Sequence, residues 1–340
     1  KLKMIAASFP VVFFLTLLAM VVGGNKFLKD WGFETVIFSL LIGLFISNIF
    51  SIPKWLKESR SSELFVKIGL VLLGTTVLFD DLLKAGALGL IQSCVVVFTV
   101  WNFCFWLCRK MKIDKEMSLM LSSAVSICGV SAAVATAGAI KGDKTKLSYV
   151  VSLVLVVAVP MILIMPGLAK LMGLPEDMAG AWIGGTIDTT GAVAATGAIY
   201  GEVALQTSTI VKFSQNVLLG VAAFLISIYW SYSKKEVTEE KPTLKVIWLR
   251  FPKFVLGFVA ASLVFSFCVA PEVVSDAKPI LKNIQGMWFA LAFMSIGLET
   301  DFKSLITSEN RRSTYAFLGA QAFNVVFTLF VAWILFGLIA

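Results

Sequence analysis

The sequence predicts an all-α integral membrane protein that forms a single polytopic domain over residues 1–340. Composition is the first reason, because 58% of the residues are hydrophobic and 15% are charged, whereas soluble domains contain about 45–50% apolar and about 25% charged residues. The second reason is that the apolar residues fall into segments long enough to cross a hydrocarbon layer about 30 Å thick. Lipid offers backbone groups no hydrogen-bond partners, so segments that cross it are expected to be helices.

Eleven apolar segments follow one another along the chain. We expect the first to be a span rather than a cleaved signal peptide, because its apolar run is too long for one. The longest polar stretch between segments, residues 231–245, is expected in the cytoplasm. The segments cover residues 5–23, 34–50, 63–79, 84–108, 116–140, 147–170, 178–200, 203–229, 246–268, 279–298 and 313–339.

The lysines and arginines predict the orientation, since basic loops stay on the cytoplasmic side of a membrane. If all eleven segments cross, most basic residues share the side of the N-terminus, which predicts a cytoplasmic N-terminus. The lysine-rich loop 141–146 then falls on the opposite side. It joins the basic side if segments 116–140 and 178–200 are re-entrant hairpins that enter from opposite faces. Broken crossing helices are the alternative, so we expect about 9–11 transmembrane helices with two broken or re-entrant segments.

The two unusual segments are related to each other. Residues 128–143 and 187–202 align at an offset of 59 with seven identities in sixteen positions. Glycine-rich interruptions at corresponding places are typical of the binding sites of secondary transporters. A break frees backbone groups that cost several kcal/mol each in lipid unless a substrate, an ion or water bonds to them. Because a helix N-terminus carries partial positive charge, two such breaks predict an anion site.

Two ionisable residues belong to this predicted site. Lys212 lies about 13 Å into its span at 1.5 Å per residue, and Asp188 is its nearest candidate partner in the sequence. Charges inside a membrane are functional candidates; a purely structural ion pair is the alternative. We expect Lys212 to complement the anion, and Asp188 either to pair with Lys212 or to take up a proton. The residues predicted to bind the substrate are Ser126, Gly129, Val130, Ser131, Thr186, Thr189, Thr190, Gly191 and Lys212.

Other polar residues interrupt the apolar segments. Gln215 and Asn216 follow Lys212 and extend a polar face of its helix. A second set is predicted to form hydrogen bonds between helices, as amide side chains do in membranes. This set contains Asn102, Gln321 and Asn324.

Four stretches together resemble the bacterial YeiH-like family of sulfate exporters, and the resemblance runs over essentially the whole chain. They are GTTVLFDDLL (74–83), ICGVSAAVATAGAI (127–140), IGGTIDTTGAVAATGAIYG (183–201) and TSTIVKFSQN (207–216). The resemblance implies a multi-pass transporter of the bacterial cytoplasmic (inner) membrane. It also implies a fold related to cation–proton antiporters and bile-acid transporters, with inverted repeats.

The same resemblance implies that some helices form a core and the others a scaffold. Core elements are expected near 116–140 and 178–229, and the remaining helices are expected to form a scaffold and support the core. A homodimer is also implied. Members of the family often carry a basic residue at the position of Gln215, so this chain is expected to lack that second positive charge at the site.

These observations predict a secondary transporter that moves a small anion, sulfate or a related oxyanion or sulfonate, by alternating access. The coupling ion is expected to be a proton or sodium, and membrane lipid is the other expected partner. The net charge of +8 is attributed to cytoplasmic loops and not to nucleic-acid binding. The chain has no histidine and no GxxxxGK[ST] motif, so we expect no metal, no cofactor, no direct use of ATP and no enzymatic activity.

Two alternatives remain open at this stage. The first is a cation–proton antiporter or a symporter of organic carboxylates, in which Asp188 would carry the ion. The second belongs to another class, an intramembrane enzyme or a receptor. An enzyme would need a nucleophile beside a base or two paired carboxylates in one cavity.

Overall fold

The structure, a computed structural model, describes residues 2–23, 35–50, 52–57, 61–77, 79–233, 253–299 and 311–339. Helices form almost all of this part of the chain, and none of it forms a strand. The predicted all-α class is therefore confirmed for the described residues. Most of the predicted cytoplasmic stretch 231–245, and the beginning of the segment 246–268, lie outside them.

Each predicted apolar segment coincides with one helix or with a pair of short helices. The helices are α1 (Leu2–Gly23), α2 (Thr35–Ile49), α3 (Lys54–Lys57), α4 (Ser61–Gly74), α5 (Phe79–Lys110), α6 (Lys115–Ser123), α7 (Val130–Ile140), α8 (Lys144–Leu171), α9 (Glu176–Thr186), α10 (Thr190–Tyr200), α11 (Glu202–Ser233), α12 (Phe254–Leu263), α13 (Pro271–Glu299) and α14 (Arg311–Ala332). Three π-helical segments continue α6, α12 and α14, and they are Ala124–Cys128, Val264–Cys268 and Trp333–Ile339.

Four of the described helices are long and apolar enough to cross a membrane by themselves. Their candidate spans are Leu82–Lys110, Thr145–Leu171, Glu202–Trp230 and Arg311–Leu338. Further apolar helical stretches in the described chain, such as Ala7–Gly23 within α1, are shorter, between 10 and 17 residues. Large apolar side chains remain exposed on the helices, for example Phe98 in the span Leu82–Lys110. This is expected of surfaces that face lipid.

The segment 115–140 is a re-entrant hairpin, which we call hairpin 1. Contacts at its two ends show this: the Glu116 carboxylate accepts a hydrogen bond from the backbone N–H of Asp143. Lys146 Nζ lies 2.8 Å from Asp114 Oδ1 and 3.0 Å from Glu116 Oε2. The chain therefore enters and leaves at the same place, and α6 and α7 form the two arms.

The segment 176–200 is a second re-entrant hairpin, hairpin 2, with α9 and α10 as its arms. The Tyr200 hydroxyl donates to the carbonyl oxygen of Leu174 at 2.5 Å, and Glu176 Oε2 accepts from the N–H of Val203 at 2.9 Å. The 28 residues of α8, about 42 Å long, separate the bases of the two hairpins. The hairpins thus enter from opposite ends, as one of the two sequence alternatives predicted, and the broken crossing helices are wrong.

The helices pack in two groups. The first contains α1 to α4, α12 and α13, and the second contains α5 to α11 and α14. Contacts between the groups are made chiefly by α10, which touches α2, α4 and α13, and by α12, which touches α5. The predicted core elements, 116–140 and 178–229, lie in the second group. Movement of one group against the other stays a prediction.

Candidate functional site

The tips of the two hairpins meet in the interior of the second group. Hairpin 1 turns at a single residue, Gly129, whose φ of 57° and ψ of −110° suit only glycine. Hairpin 2 turns over the three residues 187–189. A Cβ added at Gly129 would lie 3.2 Å from the Cβ of Asp188. Because the hairpins enter from opposite ends, this contact lies between their two bases.

Lys212 of α11 ties the two tips together. Its Nζ donates to the carbonyl oxygens of Ile127 at 2.6 Å and Ile187 at 2.8 Å, and to Gln215 Oε1 at 2.8 Å. The two carbonyls end the first arm of each hairpin, where unpaired oxygens and the helix dipole concentrate negative charge. The amide of Gln215 also donates to the carbonyl of Gly185 at 3.0 Å. The ammonium, 1% exposed, thus serves as a common C-terminal cap.

A second side chain bridges the same two arms from α14. Asn324 Nδ2 donates to the carbonyl oxygens of Val125 and Thr186, both at 3.2 Å. Gln321 Nε2 donates to the Thr186 carbonyl at 3.0 Å, and Thr328 donates to Asn324 Oδ1 at 2.7 Å. These carbonyls at the ends of the first arms are therefore bonded to neutral amides and one ammonium.

The second arms present their N-terminal ends at the same tips. The first N–H groups of α7 and α10 have no partner within their helices and carry partial positive charge. Thr189 Oγ1 caps one of them, the N–H of Ala192, at 3.3 Å. Asn216 Nδ2 donates to Thr190 Oγ1 at 3.2 Å, while the Ser131 side chain is exposed. The N-terminal ends of the second arms can accept an anion, whereas the C-terminal ends of the first arms bind the Lys212 ammonium.

Other predicted site residues have different surroundings. Ser126 is buried, and its hydroxyl donates within its own helix to the carbonyl of Ser122 at 2.7 Å, so it does not offer that proton to a ligand. The hydroxyl of Thr186 is buried without a hydrogen-bond partner. Gly191 lies against the first helix group, because a Cβ there would be 3.1 Å from Ile296 Cδ1. Val130 is half-buried at the first position of α7.

The predicted ion pair between Asp188 and Lys212 is not formed. No ion pair within 4.0 Å joins them, because the three protons of the Lys212 ammonium already bond to three other oxygens. Asp188 is 1% exposed, and neither of its carboxylate oxygens has a hydrogen-bond partner. A buried carboxylate in such surroundings is costly while ionised, so this position favours uptake of a proton or a cation.

The amides predicted to join helices divide into two kinds. Gln321 and Asn324 bond across helices, which confirms that prediction, but Asn102 is exposed and bonds to Phe98 in its own helix. None of the α14 residues was predicted to belong to the site. Their spacing of three and four residues, from Gln321 to Asn324 to Thr328, puts one polar stripe on an apolar helix. That stripe is the signal that could have found them.

Comparison with known proteins gives family relationships. Residues 8–316 match a family model described as conserved hypothetical protein 698. A UPF0324 membrane protein of Rhodopirellula baltica is 39% identical over 98% of this chain and 63% of its own length. One of Nitratidesulfovibrio vulgaris is 37% identical over 98% of this chain and 59% of its own length. The chain therefore spans about three fifths of these relatives. No solved structure matches it.

Proposed function

We propose that this chain, which belongs to the family described as conserved hypothetical protein 698, is a secondary transporter of a small anion. The relatives named above are UPF0324 membrane proteins. The observation that carries the proposal is the meeting of two re-entrant hairpins with Lys212 bonded to both. In transporters, broken helices of this kind bind the substrate near the middle of the bilayer. Alternating access would then expose the tips to each side in turn.

The charges at the tips favour an anion over a cation as substrate. The ends of α7 and α10 direct N–H groups toward the tips, and the Lys212 ammonium adds one full positive charge nearby. The C-terminal carbonyls, which would attract a cation, are already bonded to Lys212, Asn324 and Gln321. Tetrahedral oxyanions accept hydrogen bonds on every face, so N–H groups and threonine hydroxyls complement them well.

Sulfate, or a related oxyanion or sulfonate, is the proposed substrate class, supported by the resemblance to YeiH-like sulfate exporters. We propose insertion in the bacterial inner membrane with the N-terminus in the cytoplasm, because the lysine-rich base of hairpin 1 then joins the cytoplasmic side. Movement of the second helix group against the first, as in related transporter folds, and assembly as a homodimer are part of the same proposal. It includes no enzymatic activity.

Asp188 is proposed to couple transport to the proton gradient. Its carboxylate lies beside the tip of hairpin 1 without a hydrogen-bond donor, so protonation and release can accompany anion binding. Asp188→Asn should flatten the pH dependence of anion uptake into proteoliposomes while anion binding persists. Glu176→Gln, at the base of hairpin 2, is the control and should keep the wild-type pH profile. An unchanged pH dependence in Asp188→Asn would remove Asp188 from this role.

The second candidate is cation–proton antiport with Asp188 as the cation carrier. The same unpartnered, buried carboxylate favours it. The two candidates separate in one assay: proteoliposomes loaded with a pH-sensitive dye should respond to added sulfate or sulfonate if the substrate is an anion. A response to Na⁺, K⁺ or Li⁺ with no anion specificity would favour antiport.

A screen for stabilising anions tests the main proposal most directly. A ligand at 100 times its Kd stabilises the folded state by about 2.7 kcal/mol, so sulfate, sulfonates and other oxyanions should raise Tm above the value in chloride at equal ionic strength. The variant Lys212→Ala should lose this rise, whereas Lys170→Ala, at the exposed end of α8, should keep it. If no anion stabilises the protein and none is taken up, the anion proposal fails.

A further inference from the structure

We propose that the Lys212 ammonium is a tethered cation, which fills a cation site formed by the two hairpin tips and makes their closure independent of Na⁺. The inference deepens the proposed function and rests on it only in treating the tips as the transport site. The inference concerns the coupling ion, for which the sequence allows either a proton or sodium. A permanent occupant of the cation site leaves no place there for sodium.

The oxygen atoms around Lys212 form the kind of site that a small monovalent cation uses. Two are backbone carbonyls at the C-terminal ends of half-helices, Ile127 and Ile187, and the third is the amide oxygen of Gln215. Unwound carbonyls and half-helix C-termini are the groups that coordinate Na⁺ in transporters with broken helices. Hard cations prefer such oxygen ligands. Here the ligands converge on a nitrogen at 2.6 to 2.8 Å.

The ammonium uses its full bonding capacity at this site. It has three N–H donors, and each has one acceptor oxygen. Lys212 is 1% exposed, so water and free ions do not reach these oxygens in the conformation described. Lys212 makes no bond to Asp188 because its three donors are already used. Lys212 therefore holds the two tips together, and Asp188 can exchange a proton.

The two carbonyls belong to different hairpins, which explains why a tether matters. A cation bonded to both Ile127 and Ile187 fixes the tips against each other. A free ion would leave when its concentration falls, and the tips would separate. Lys212 is anchored in α11 and cannot leave, so the positive charge beside the proposed anion site persists at any external Na⁺ concentration.

Removing the ammonium should create a vacant cation site that a free cation can fill. We would measure Tm of the purified full chain in the chloride salts of Na⁺, K⁺, methylammonium and choline, at one ionic strength. Lys212→Ala should have a lower Tm than wild type in choline. Methylammonium or Na⁺ at saturation should raise it by about 5 °C, because either can bond to the three vacated oxygens.

The matched control is Lys212→Met, whose side chain extends as far as the lysine Cε and therefore occupies the space that the methyl group of methylammonium needs. It should be destabilised, and methylammonium should not rescue it. Wild type should have the same Tm in all four salts, because its cation site is filled.

Three results would overturn the proposal: a Na⁺-specific rise in wild type, no cation-specific rise in folded Lys212→Ala, or a rise with methylammonium in Lys212→Met as large as that in Lys212→Ala. If Lys212→Ala does not fold, the wild-type measurement decides, since it requires no variant. These measurements use no anion substrate. The anion screen can therefore fail while the cation rescue succeeds, and the reverse, so that the two proposals fail independently.

Discussion

The tips of the two hairpins carry glycine and aspartate at equivalent positions. Gly129 and Asp188 correspond in the alignment of the related segments, and in the structure a Cβ added at Gly129 would lie 3.2 Å from the Cβ of Asp188. The first arms of both hairpins end in carbonyls bonded to Lys212 and Asn324. The second arms differ, since α10 has a side-chain cap from Thr189 and α7 has none. Hairpin 1 thus contributes backbone groups, and hairpin 2 also contributes side-chain chemistry.

Packing explains this division. The single-residue turn at Gly129 brings its Cα so close to α8 that an added Cβ would lie 2.6 Å from Val154 Cγ1. Hairpin 2 turns over three residues, with extended backbone at Ile187 and Thr189, and has room for the Asp188 side chain. Only hairpin 2 can therefore place a carboxylate at the tips, although the two segments are related in sequence.

The largest expected effect comes from giving hairpin 1 a side chain at its tip. Gly129→Ala places a Cβ at positive φ and against Val154. The backbone strain costs about 1–2 kcal/mol and the overpacking about 1–3 kcal/mol, so the free energy of unfolding should fall by about 2–5 kcal/mol. Chemical unfolding in detergent would measure this.

The control for this prediction is Gly173→Ala. Gly173 also has a positive φ, 64°, but an added Cβ would meet nothing within 4 Å. It should lose only the strain, about 1–2 kcal/mol. Equal losses in the two variants would mean that the tip of hairpin 1 has space for a side chain and that the contrast between the tips is not steric.

The next effect concerns what the two tips share. Asn324→Leu removes the donor to Val125 and Thr186, and each carbonyl left buried without a partner costs about 1–3 kcal/mol. We expect a loss of about 2–3 kcal/mol in the free energy of unfolding, because Gln321 still bonds to Thr186. Asn102→Leu is the matched control: its amide bonds only within its own helix, and its Tm should hardly change.

A loss in Asn102→Leu as large as that in Asn324→Leu would contradict the bridging role of Asn324. Thermal unfolding of both variants in the same detergent would give the comparison. A double variant with Lys212→Met tests the shared function further, since both side chains hold the same pair of arms and their effects should not add.

Sequence reasoning found the helices and both hairpin segments, but it could not choose between re-entrant and crossing arrangements. An apolar stretch of a given length permits either. The choice depends on hydrogen bonds between the two ends of each hairpin segment, such as the bond from Tyr200 to Leu174. The identities of these two residues do not predict that they are bonded. Pairing with Lys212, one of the two alternatives for Asp188, was wrong for a similar reason. Lys212 bonds to backbone carbonyls, which every residue possesses and which therefore leave no trace in a sequence.

A smaller effect tests the side-chain cap that hairpin 2 has and hairpin 1 lacks. Thr189→Ala removes the oxygen that accepts from the N–H of Ala192, and loss of an N-cap costs about 0.5–2 kcal/mol. Thr189→Ser keeps the oxygen and should retain most of the stability. Chemical unfolding in detergent would measure both variants, and if Thr189→Ser loses as much stability as Thr189→Ala, the threonine methyl group matters and the cap does not.

The smallest effect contrasts the bases of the hairpins. Lys146 pairs with Asp114 and Glu116 at the base of hairpin 1, whereas Glu176 at the base of hairpin 2 bonds to backbone N–H groups. Exposed pairs contribute about 0.2–1 kcal/mol each, so Lys146→Ala should lose about 1 kcal/mol or less. Lys170→Ala, at the exposed opposite end of α8, should lose nothing measurable.

The pH dependence of that loss has a definite sign. Burial raises the pKa of Asp114, but hydrogen bonds from Lys146 and from the N–H of Met117 lower it more, so the pKa lies below the ordinary aspartate value. A lowered pKa contributes stability above the pKa of the unfolded chain, about 3.9, and this stability disappears as the pH falls through the folded value. The difference in Tm between wild type and Lys146→Ala should therefore persist at neutral pH and shrink below about pH 4. A difference that grows on acidification would show that Lys146 stabilises hairpin 1 by packing and not by charge.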